Sequence, residues 1–458
     1  MAQTNSLFRN LPSVSEILGK ISTDLPNDLL VLWIREILQR SRRNIQKKNK
    51  ALSKSVLLEQ IYAEVQNRIQ FFNWQFATVI NGTGVILHTG LGRAPLGQEM
   101  LDSQVSVMKN YVSLEIDFSG KRGDRFASLR DLLKSLTGAD DALVVNNNAA
   151  AVLLVLNSLA DGKEVVVSRG EQVEIGGSFR IPDVVRKSGA TMIEVGTTNR
   201  THLEDYQKTI TKNTAVLLQA HTSNFRVQGF TKSVDLGELA SLGKKHRIPV
   251  VSDLGSGALV DLQLFGFCDE PLVKDVIKLG VSVATFSGDK LIGGPQCGII
   301  VGKKSLIGKM KKNSLLRAIR PDKSTLLILK KTLLKIAQGK IQNLPLFQLL
   351  SRTTDELHNQ AESVIRALSP EILEQFSISI DATTGQFGSG SMPTEEFESV
   401  ALIIKSSQES ARSIFERLVH GTPSVLSRIH NQKILIDLRT VFPSELNSLI
   451  EAINNLAR

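Results

Sequence analysis

The sequence predicts a mainly parallel α/β sheet with flanking helices, between a helical N-terminal region and a small α+β C-terminal region. From about residue 76 short apolar segments alternate with stretches long enough for helical crossovers, which is typical of a parallel sheet. Before that point apolar residues recur at helical spacing. A chain of 458 residues also exceeds the size of one compact domain. We therefore expect three domains, at residues 1–75, 76–330 and 331–458.

The N-terminal region is predicted to contain two amphipathic helices. In residues 28–39 one helical stripe carries Leu29, Leu30, Trp33, Ile34, Ile37 and Leu38. A second helix is predicted from Ser55 to about Phe72. Between the two predicted helices lies a basic stretch made of Arg40, Arg42, Arg43, Lys47, Lys48 and Lys50. Such a stretch attracts a nucleic-acid backbone, and a solvated helix face is the alternative interpretation.

Short apolar segments of the central region are predicted to be strands. They are residues 142–145, 164–167, 191–195, 215–219, 249–252, 281–286 and 298–301. Ligands of parallel sheets bind at the carboxyl ends of the strands, so the residues that follow each strand are candidate site residues. In the C-terminal region a helix from about residue 331 leads to further strands at 377–381 and 433–437.

The composition is that of an ordinary globular protein with a moderate basic excess. The chain has 55 Lys+Arg against 45 Asp+Glu, a net charge of +10, which permits an anionic partner. Cys268 and Cys297 form no metal-binding or disulfide pattern, so no metal is expected. We predict no signal peptide and no membrane span, and hence a cytoplasmic protein.

A turn between two predicted strands presents Lys290, in the run Ser287-Gly-Asp-Lys290. A lysine at the carboxyl edge of a sheet can form a Schiff base with pyridoxal 5′-phosphate (PLP). Ser287 is then a candidate ligand of the cofactor phosphate. Taken alone, a serine three residues before a lysine is a weak signal, and an ordinary loop lysine is the alternative.

Asp253 strengthens the PLP interpretation, because it follows an apolar strand and precedes Gly255 and Gly257. PLP needs a carboxylate against its pyridine nitrogen, so that the protonated ring can accept electrons. An aspartate at one strand end, with a lysine about 37 residues later at another, is the order that type I PLP enzymes use. An aspartate that merely starts a turn is the alternative.

Asn147, Asn148 and Ala149 lie where another strand runs into a helix rich in alanine and leucine. Asparagine caps helices well, and the free N–H groups of a helix N-terminus bind phosphate. We therefore predict that these three residues bind the cofactor phosphate. A plain capped helix is the alternative.

Three arginines are candidates for binding a phosphorylated substrate. Arg93 lies in a glycine-rich turn, and Arg317 and Arg320 share a face if their segment is helical. The planar guanidinium group matches phosphate geometry. For any one of them a solvated basic face is the alternative.

Together these segments resemble the bacterial L-seryl-tRNA(Sec) selenium transferases, the SelA family. The matching runs span nearly the whole chain in the family's order and include residues 11–14, 80–85, 88–96, 145–151, 168–171, 174–182, 221–225, 252–257, 287–298 and 438–440. Gly90 stands where the family is expected to have Asn, and Ser128 where it is expected to have His.

The resemblance implies a PLP-dependent transferase of fold type I with an N-terminal tRNA-binding domain, a catalytic domain and a small C-terminal domain. It implies a homodecamer built as a pentamer of dimers. It places PLP on Lys290, gives Asp289 a catalytic role, and assigns Arg93, Arg317 and Arg320 to selenophosphate.

Our hypothesis for the reaction is a β-elimination that turns seryl-tRNA(Sec) into aminoacrylyl-tRNA, followed by addition of selenium from selenophosphate. Lys290 acts as the general base and Asp253 keeps the ring protonated. One alternative is a PLP-dependent lyase acting on a small amino acid or amino sugar, which would not need the N-terminal region. Another is a nucleic-acid-binding regulator with an inactive PLP fold, which the intact Lys290 and Asp253 disfavour.

Overall fold

The computed structural model describes residues 8–48, 52–177, 179–225, 227–267 and 270–457. The chain divides into two compact units, one that ends at Val79 and one that begins at Ile80. Within the described ranges no helix would cover the width of a bilayer with apolar side chains.

The first unit is helical, with α1 (Val14–Leu18), α2 (Asn27–Lys48) and α3 (Lys54–Trp74). A capping box fixes the start of α1, because the Ser13 hydroxyl accepts from the N–H of Glu16 and the Glu16 carboxylate accepts from the N–H of Ser13. The apolar stripe of α2 packs against that of α3 in a core that includes Leu30, Trp33, Ile34, Ile37, Leu38, Ile61, Val65 and Ile69. Both predicted helices are therefore present.

The second unit is built around a seven-stranded sheet with the order β2–β10–β9–β8–β7–β3–β6. Every neighbouring pair is parallel except those that β10 forms, which are antiparallel. Strands β1 to β10 are Val79–Asn81, Asp141–Val145, Glu164–Ser168, Glu174–Ile175, Phe179–Arg180, Thr191–Val195, Thr214–Ala220, Val250–Gly255, Val283–Ser287 and Gly298–Gly302, of which β4 and β5 form a separate hairpin. The predicted mainly parallel sheet is confirmed.

Helices flank this sheet. Helices α4 to α14 are Gln98–Met108, Ala127–Thr137, Asn148–Ala160, Ile181–Lys187, Leu203–Thr209, Leu236–His246, Val273–Lys278, Lys304–Lys312, Leu315–Ala318, Lys323–Ala337 and Pro345–Ser351. The helix that follows β2, α6, is apolar on nearly all sides and is buried against β7, β9 and β10. Its N-terminus is thereby held at the carboxyl edge of the sheet.

The C-terminal part has its own antiparallel sheet, ordered β11–β12–β15–β14. Its strands are β11 (Ser377–Gly388), β12 (Ser391–Lys405), β14 (Arg428–His430) and β15 (Lys433–Asp437), while β13 (Ser424–Leu426) pairs with β1. Its helices are α15 (Thr354–Arg366), α16 (Pro370–Gln375), α17 (Ala411–His420) and α18 (Leu446–Asn454).

The expected boundary at residue 331 falls inside α13, which packs against α4 and α5. The apolar residues from Leu326 to Leu350 belong to the core of the large sheet, whereas Leu357 belongs to a separate core that also contains Ile80. The helix that the sequence suggested as the start of the C-terminal region is therefore part of the large sheet's layer. The physical reason is that the apolar face of α13 is buried in the core of the large sheet.

Candidate active site

A cavity of about 250 Å³ opens at the carboxyl edge of the parallel sheet, and we call it the cofactor cavity. It brings together all the residues predicted to bind the cofactor, namely Asn147, Asn148, Ala149, Asp253, Ser287 and Lys290. Arg93 and Asp289 also line it. Residues from three strand ends and one distant turn thus meet at one place, as ligand sites of parallel sheets do.

Lys290 lies in the turn between β9 and β10, which backbone hydrogen bonds hold in place. The N–H of Gly288 donates to the carbonyl of Cys297 over 2.9 Å, and that of Gly294 to the carbonyl of Gly288 over 2.9 Å. A side chain at Gly288 would collide with the sulfur of the buried Cys297. The turn therefore presents a lysine that is only 4% exposed.

The surroundings of Lys290 lower the pKa of its amine. Burial is the largest cause, and the positive charge of Arg93 acts in the same direction. The carboxyl groups of Asp253, Asp289 and Glu270 oppose the shift. A lowered pKa enlarges the share of neutral amine, which is the form that attacks a carbonyl carbon or accepts a proton.

Asp253 lies in β8 and is 5% exposed. Its Oδ1 accepts three hydrogen bonds, from Nδ2 of Asn148 (2.8 Å), from Oγ1 of Thr285 (3.0 Å) and from the N–H of Gly255 (3.1 Å). Burial raises the pKa of this carboxyl, while these bonds and Lys290 lower it. Because all three bonds end on Oδ1, the carboxylate has a fixed orientation and Oδ2 can receive a cationic donor.

The N-terminus of α6 forms another wall of the cavity. Oδ1 of Asn147 accepts from the N–H of Ala150 over 2.8 Å, so Asn147 is the helix cap. The first N–H groups of the helix have no partner within it, and together with the hydroxyl of Ser287 they form a cradle for an anion. Asn148 differs from expectation, because its side chain holds Asp253.

Arg93 and Asp289 form an ion pair beside Lys290. Nη1 of Arg93 lies 2.7 Å from Oδ2 of Asp289, and Arg93 has a left-handed backbone with φ of 66°. Oδ1 of Asp289 is closed to solvent and has no hydrogen-bond partner among the described residues. One oxygen of this carboxylate is thus held by the arginine, and the other can accept from a bound substrate.

Arg317 and Arg320 line a different cavity, of about 330 Å³, which we call the arginine cavity. Glu115 lies 3.3 Å from Arg320 and 3.3 Å from Arg125, so one carboxylate is shared by two arginines. Helix α12 ends at Ala318, so it includes Arg317 and not Arg320. Within one chain these two arginines thus line a different cavity from Lys290 and Arg93.

The cofactor cavity fits PLP at each of its functional groups. A lysine amine is available for the aldehyde, Asp253 for the pyridine nitrogen, and the α6 N-terminus with Ser287 for the phosphate. Among the described residues no group of three or more His, Cys, Asp or Glu side chains could hold a metal ion. The fold and this cavity together define a PLP-dependent enzyme of fold type I.

Comparison with known proteins identifies the family. Residues 79–442 match the model of SelA, the L-seryl-tRNA selenium transferases. The chain is 40% identical over 461 residues to the L-seryl-tRNA(Sec) selenium transferase of Alkaliphilus oremlandii, covering 98% of each chain. With its counterpart from Alkaliphilus metalliredigens it shares 42% identity over 463 residues and 99% of each chain. The chain belongs to the SelA family.

A solved structure supports the fold. The D-glucosaminate-6-phosphate ammonia-lyase superposes with a TM-score of 0.59 at 18% identity, over 84% of this chain and 97% of that one. The predicted family, the type I fold and PLP as the cofactor are thus confirmed.

Sequence reasoning missed two residues that line the cofactor cavity and one that supports Asp253 from behind it. Thr285 holds Asp253 and lies opposite it in the pairing of β8 with β9. Ile175 and Phe179, from the β4–β5 hairpin, line one side of the cavity. The register of β8 with β9 would have indicated Thr285. That register depends on contacts between residues far apart in sequence, so the sequence did not supply it. The hairpin residues carry no chemical signal beyond their apolar character.

Proposed function

We propose that this chain converts seryl-tRNA(Sec) into selenocysteinyl-tRNA(Sec), with PLP as cofactor and selenophosphate as selenium donor. The proposal rests on one observation: in this member of the SelA family, the buried Lys290 and the oriented Asp253 line the same cavity. The relatives that this chain resembles over nearly its whole length bear the name of that activity.

When bound, PLP supplies a conjugated ring that stabilises negative charge at the Cα of an amino acid. Asp253 keeps the proton on the ring nitrogen, because three hydrogen bonds fix its carboxylate in place. Lys290 anchors the cofactor, and its amine, whose pKa is lowered by burial, removes the Cα proton of the seryl group.

Asp289 is proposed to serve proton transfer at Cβ, where a hydroxyl leaves and selenium adds. Its Oδ2 is paired with Arg93 and its buried Oδ1 has no partner among the described residues. A proton on the departing oxygen makes hydroxide leave as water, and Asp289 is close enough to Lys290 to affect the pKa of its amine.

Arg93, Arg317 and Arg320 are proposed to bind the phosphoryl part of selenophosphate. The seryl carboxyl is esterified in the substrate, so no free carboxylate competes for these guanidinium groups. In one chain Arg93 and the other two arginines line different cavities. The proposed homodecamer, a pentamer of dimers, would allow one chain's arginines to complete another chain's site.

The N-terminal helices are proposed to contact the tRNA. Arg40 of α2 forms an ion pair with Glu64 of α3, so its charge is already compensated within the protein. Arg42, Arg43 and Lys47 are exposed and remain the candidates for backbone contact, whereas Lys50 lies outside the described residues. A separate helical domain at residues 1–75 and a cytoplasmic location belong to the same proposal.

The test is to incubate the PLP-loaded protein with seryl-tRNA(Sec) and selenophosphate, then to deacylate the tRNA and identify the amino acid. The Lys290→Ala variant is the control. We expect selenocysteine from the unaltered protein alone. Unchanged serine from protein that shows PLP absorbance would contradict the proposal and favour a lyase acting on a small molecule.

A further inference from the structure

A second cavity of about 310 Å³ lies at the same carboxyl edge of the large sheet, and we call it the edge cavity. Its walls follow the ends of β3, β6 and β7. The residues that matter for its chemistry are Glu171, Asn199, Arg200, Gln219, His221 and Lys232. The volume is at the lower end of the roughly 300–1,000 Å³ range of small-molecule sites.

The edge cavity borders the cofactor cavity. The N–H of His221, just after β7, donates to the carbonyl of Asp253 over 2.8 Å, and Ala220 pairs with Asp253 in the sheet. Adjacent strands are about 4.8 Å apart, so the end of β3 lies on the order of 10 Å from Asp253. A ligand that reaches from one cavity to the other therefore spans roughly the length of an aminoacyl nucleoside.

Hydrogen bonds build the walls of the edge cavity. Oε2 of Glu171 accepts from the N–H of Ala220 over 3.1 Å. Nε of Arg200 donates to the carbonyl of Phe230 over 3.2 Å, which ties the turn after β6 to the segment before α9. Nδ1 of His221 is closed to solvent and has no hydrogen-bond partner among the described residues. A buried ring nitrogen in a polar wall is an unfilled hydrogen-bonding position.

The charge of the edge cavity favours an anion. Among the described residues neither Arg200 nor Lys232 forms an ion pair with a carboxylate. Glu171 is the one acidic residue among its described lining residues, and burial raises the pKa of that carboxyl to about 8. Glu171 is therefore mostly uncharged at neutral pH, and it does not cancel the two cations.

We propose that the edge cavity binds the 3′-terminal nucleotide of the aminoacyl-tRNA, with Arg200 and Lys232 at its phosphate and the polar wall at its ribose and base. The inference rests on the proposed function, because only an aminoacyl-tRNA substrate carries a nucleotide esterified to the reacting amino acid. When the seryl group is at Lys290, that nucleotide occupies the space next to the cofactor cavity. The edge cavity is lined by His221, whose N–H donates to the carbonyl of Asp253 in the wall of the cofactor cavity.

The test measures binding to the PLP-loaded protein of two ligands, L-serinamide and the 3′-deoxy-3′-serylamido analogue of adenosine 5′-monophosphate. Titration calorimetry and the change in cofactor absorbance report the affinities. We expect the nucleotide analogue to bind at least tenfold more tightly than serinamide. The Arg200→Ala/Lys232→Ala variant removes most of that difference and leaves serinamide binding unchanged. The matched control, Arg186→Ala/Lys187→Ala, removes the same charge from the exposed end of α7 and leaves both affinities unchanged.

Equal affinity of the nucleotide analogue for the Arg200→Ala/Lys232→Ala variant and the unaltered protein would overturn the inference. If that variant does not fold, an 8-azidoadenine form of the analogue is cross-linked to the unaltered protein. Label in residues 197–201 or 231–233 supports the inference, and label confined to other peptides overturns it. Selenocysteine formation by the unaltered protein on full-length tRNA tests the proposed function separately, so each idea can fail without the other.

Discussion

Asp253 and Asp437 are both buried aspartates in strands, and burial raises the pKa of both. Asp437, in β15, uses both oxygens within the protein. Its Oδ1 accepts from Ser399 (2.5 Å) and the N–H of Arg439 (3.1 Å), and its Oδ2 accepts from Arg428 (3.2 Å). Asp253 has three bonds on Oδ1, no ion pair among the described residues, and a cavity in front of it.

The difference shows that a raised pKa does not by itself identify a functional carboxylate. Asp437 is paired with Arg428 of the neighbouring strand, so its role is to hold the fold together. Asp253 is oriented by neutral donors, and its cationic partner has to come from a ligand. A buried carboxylate that faces a cavity and has no ion-pair partner in the protein identifies a functional residue better than a raised pKa does.

Replacing Asp253 by Asn is expected to have the largest effect on activity. An amide does not hold a proton on the ring nitrogen, so kcat for selenocysteine formation should fall by about 10²–10⁴-fold. The thermal unfolding midpoint should change little, because the Asn oxygen can still accept from Asn148 and Thr285. Single-turnover kinetics and thermal unfolding measure both quantities. An activity within threefold of the unaltered enzyme would contradict the role of Asp253.

Replacing Asp437 by Asn is expected to reverse this pattern. It removes the charge that pairs with Arg428, a side chain that is 35% exposed, which should cost about 1.5–3 kcal/mol of unfolding free energy. The folded fraction should keep its PLP absorbance. Chemical denaturation gives the stability change, with the exposed Asp381→Asn in β11 as the matched control. A stability loss no larger than that of the control would show that Asp437 is dispensable.

Replacing Arg317 by Ala tests whether the arginine cavity serves the reaction at all. Loss of a charge-assisted contact with phosphate should raise the KM for selenophosphate by roughly tenfold. PLP absorbance should be unchanged, because Arg317 does not line the cofactor cavity. Lys312→Ala, at the end of α11, is the control for a lost surface charge. Loss of PLP absorbance in the Arg317 variant would contradict its assignment to the selenium donor.

Replacing Glu171 by Gln is expected to change the stability of the protein in a way that depends on pH. Burial raises the pKa of Glu171 to about 8 in the folded chain from its ordinary value of 4.5, so the folded state retains a proton that the unfolded state loses. Its contribution to stability is thus fully present below pH 4.5 and declines as pH rises toward 8. The Gln variant should unfold a few degrees higher than the unaltered protein at pH 9 and at the same temperature at pH 4.5. A constant difference across this range would contradict the raised pKa.

Local sequence determined much of the fold and of the cofactor site. The apolar stripe at Leu30, Ile34 and Ile37 predicted a packed helix, because helical periodicity follows directly from residue spacing. The positions of Asp253, Ser287 and Lys290 after apolar segments predicted a site, because parallel strands end at one edge of a sheet.

Other features were decided only by the tertiary structure. The hydrogen bond between Thr285 and Asp253 depends on the register of β8 with β9, which the spacing of residues in the sequence does not specify. Helix α13 is amphipathic, which is compatible with the C-terminal region and with the large sheet alike. Only its packing against α4 and α5 assigns it to the large sheet. Arg93 lines one cavity, and Arg317 and Arg320 line another. Strand and helix periods are local properties of a chain, whereas register, packing partners and loop paths depend on contacts between residues far apart in sequence.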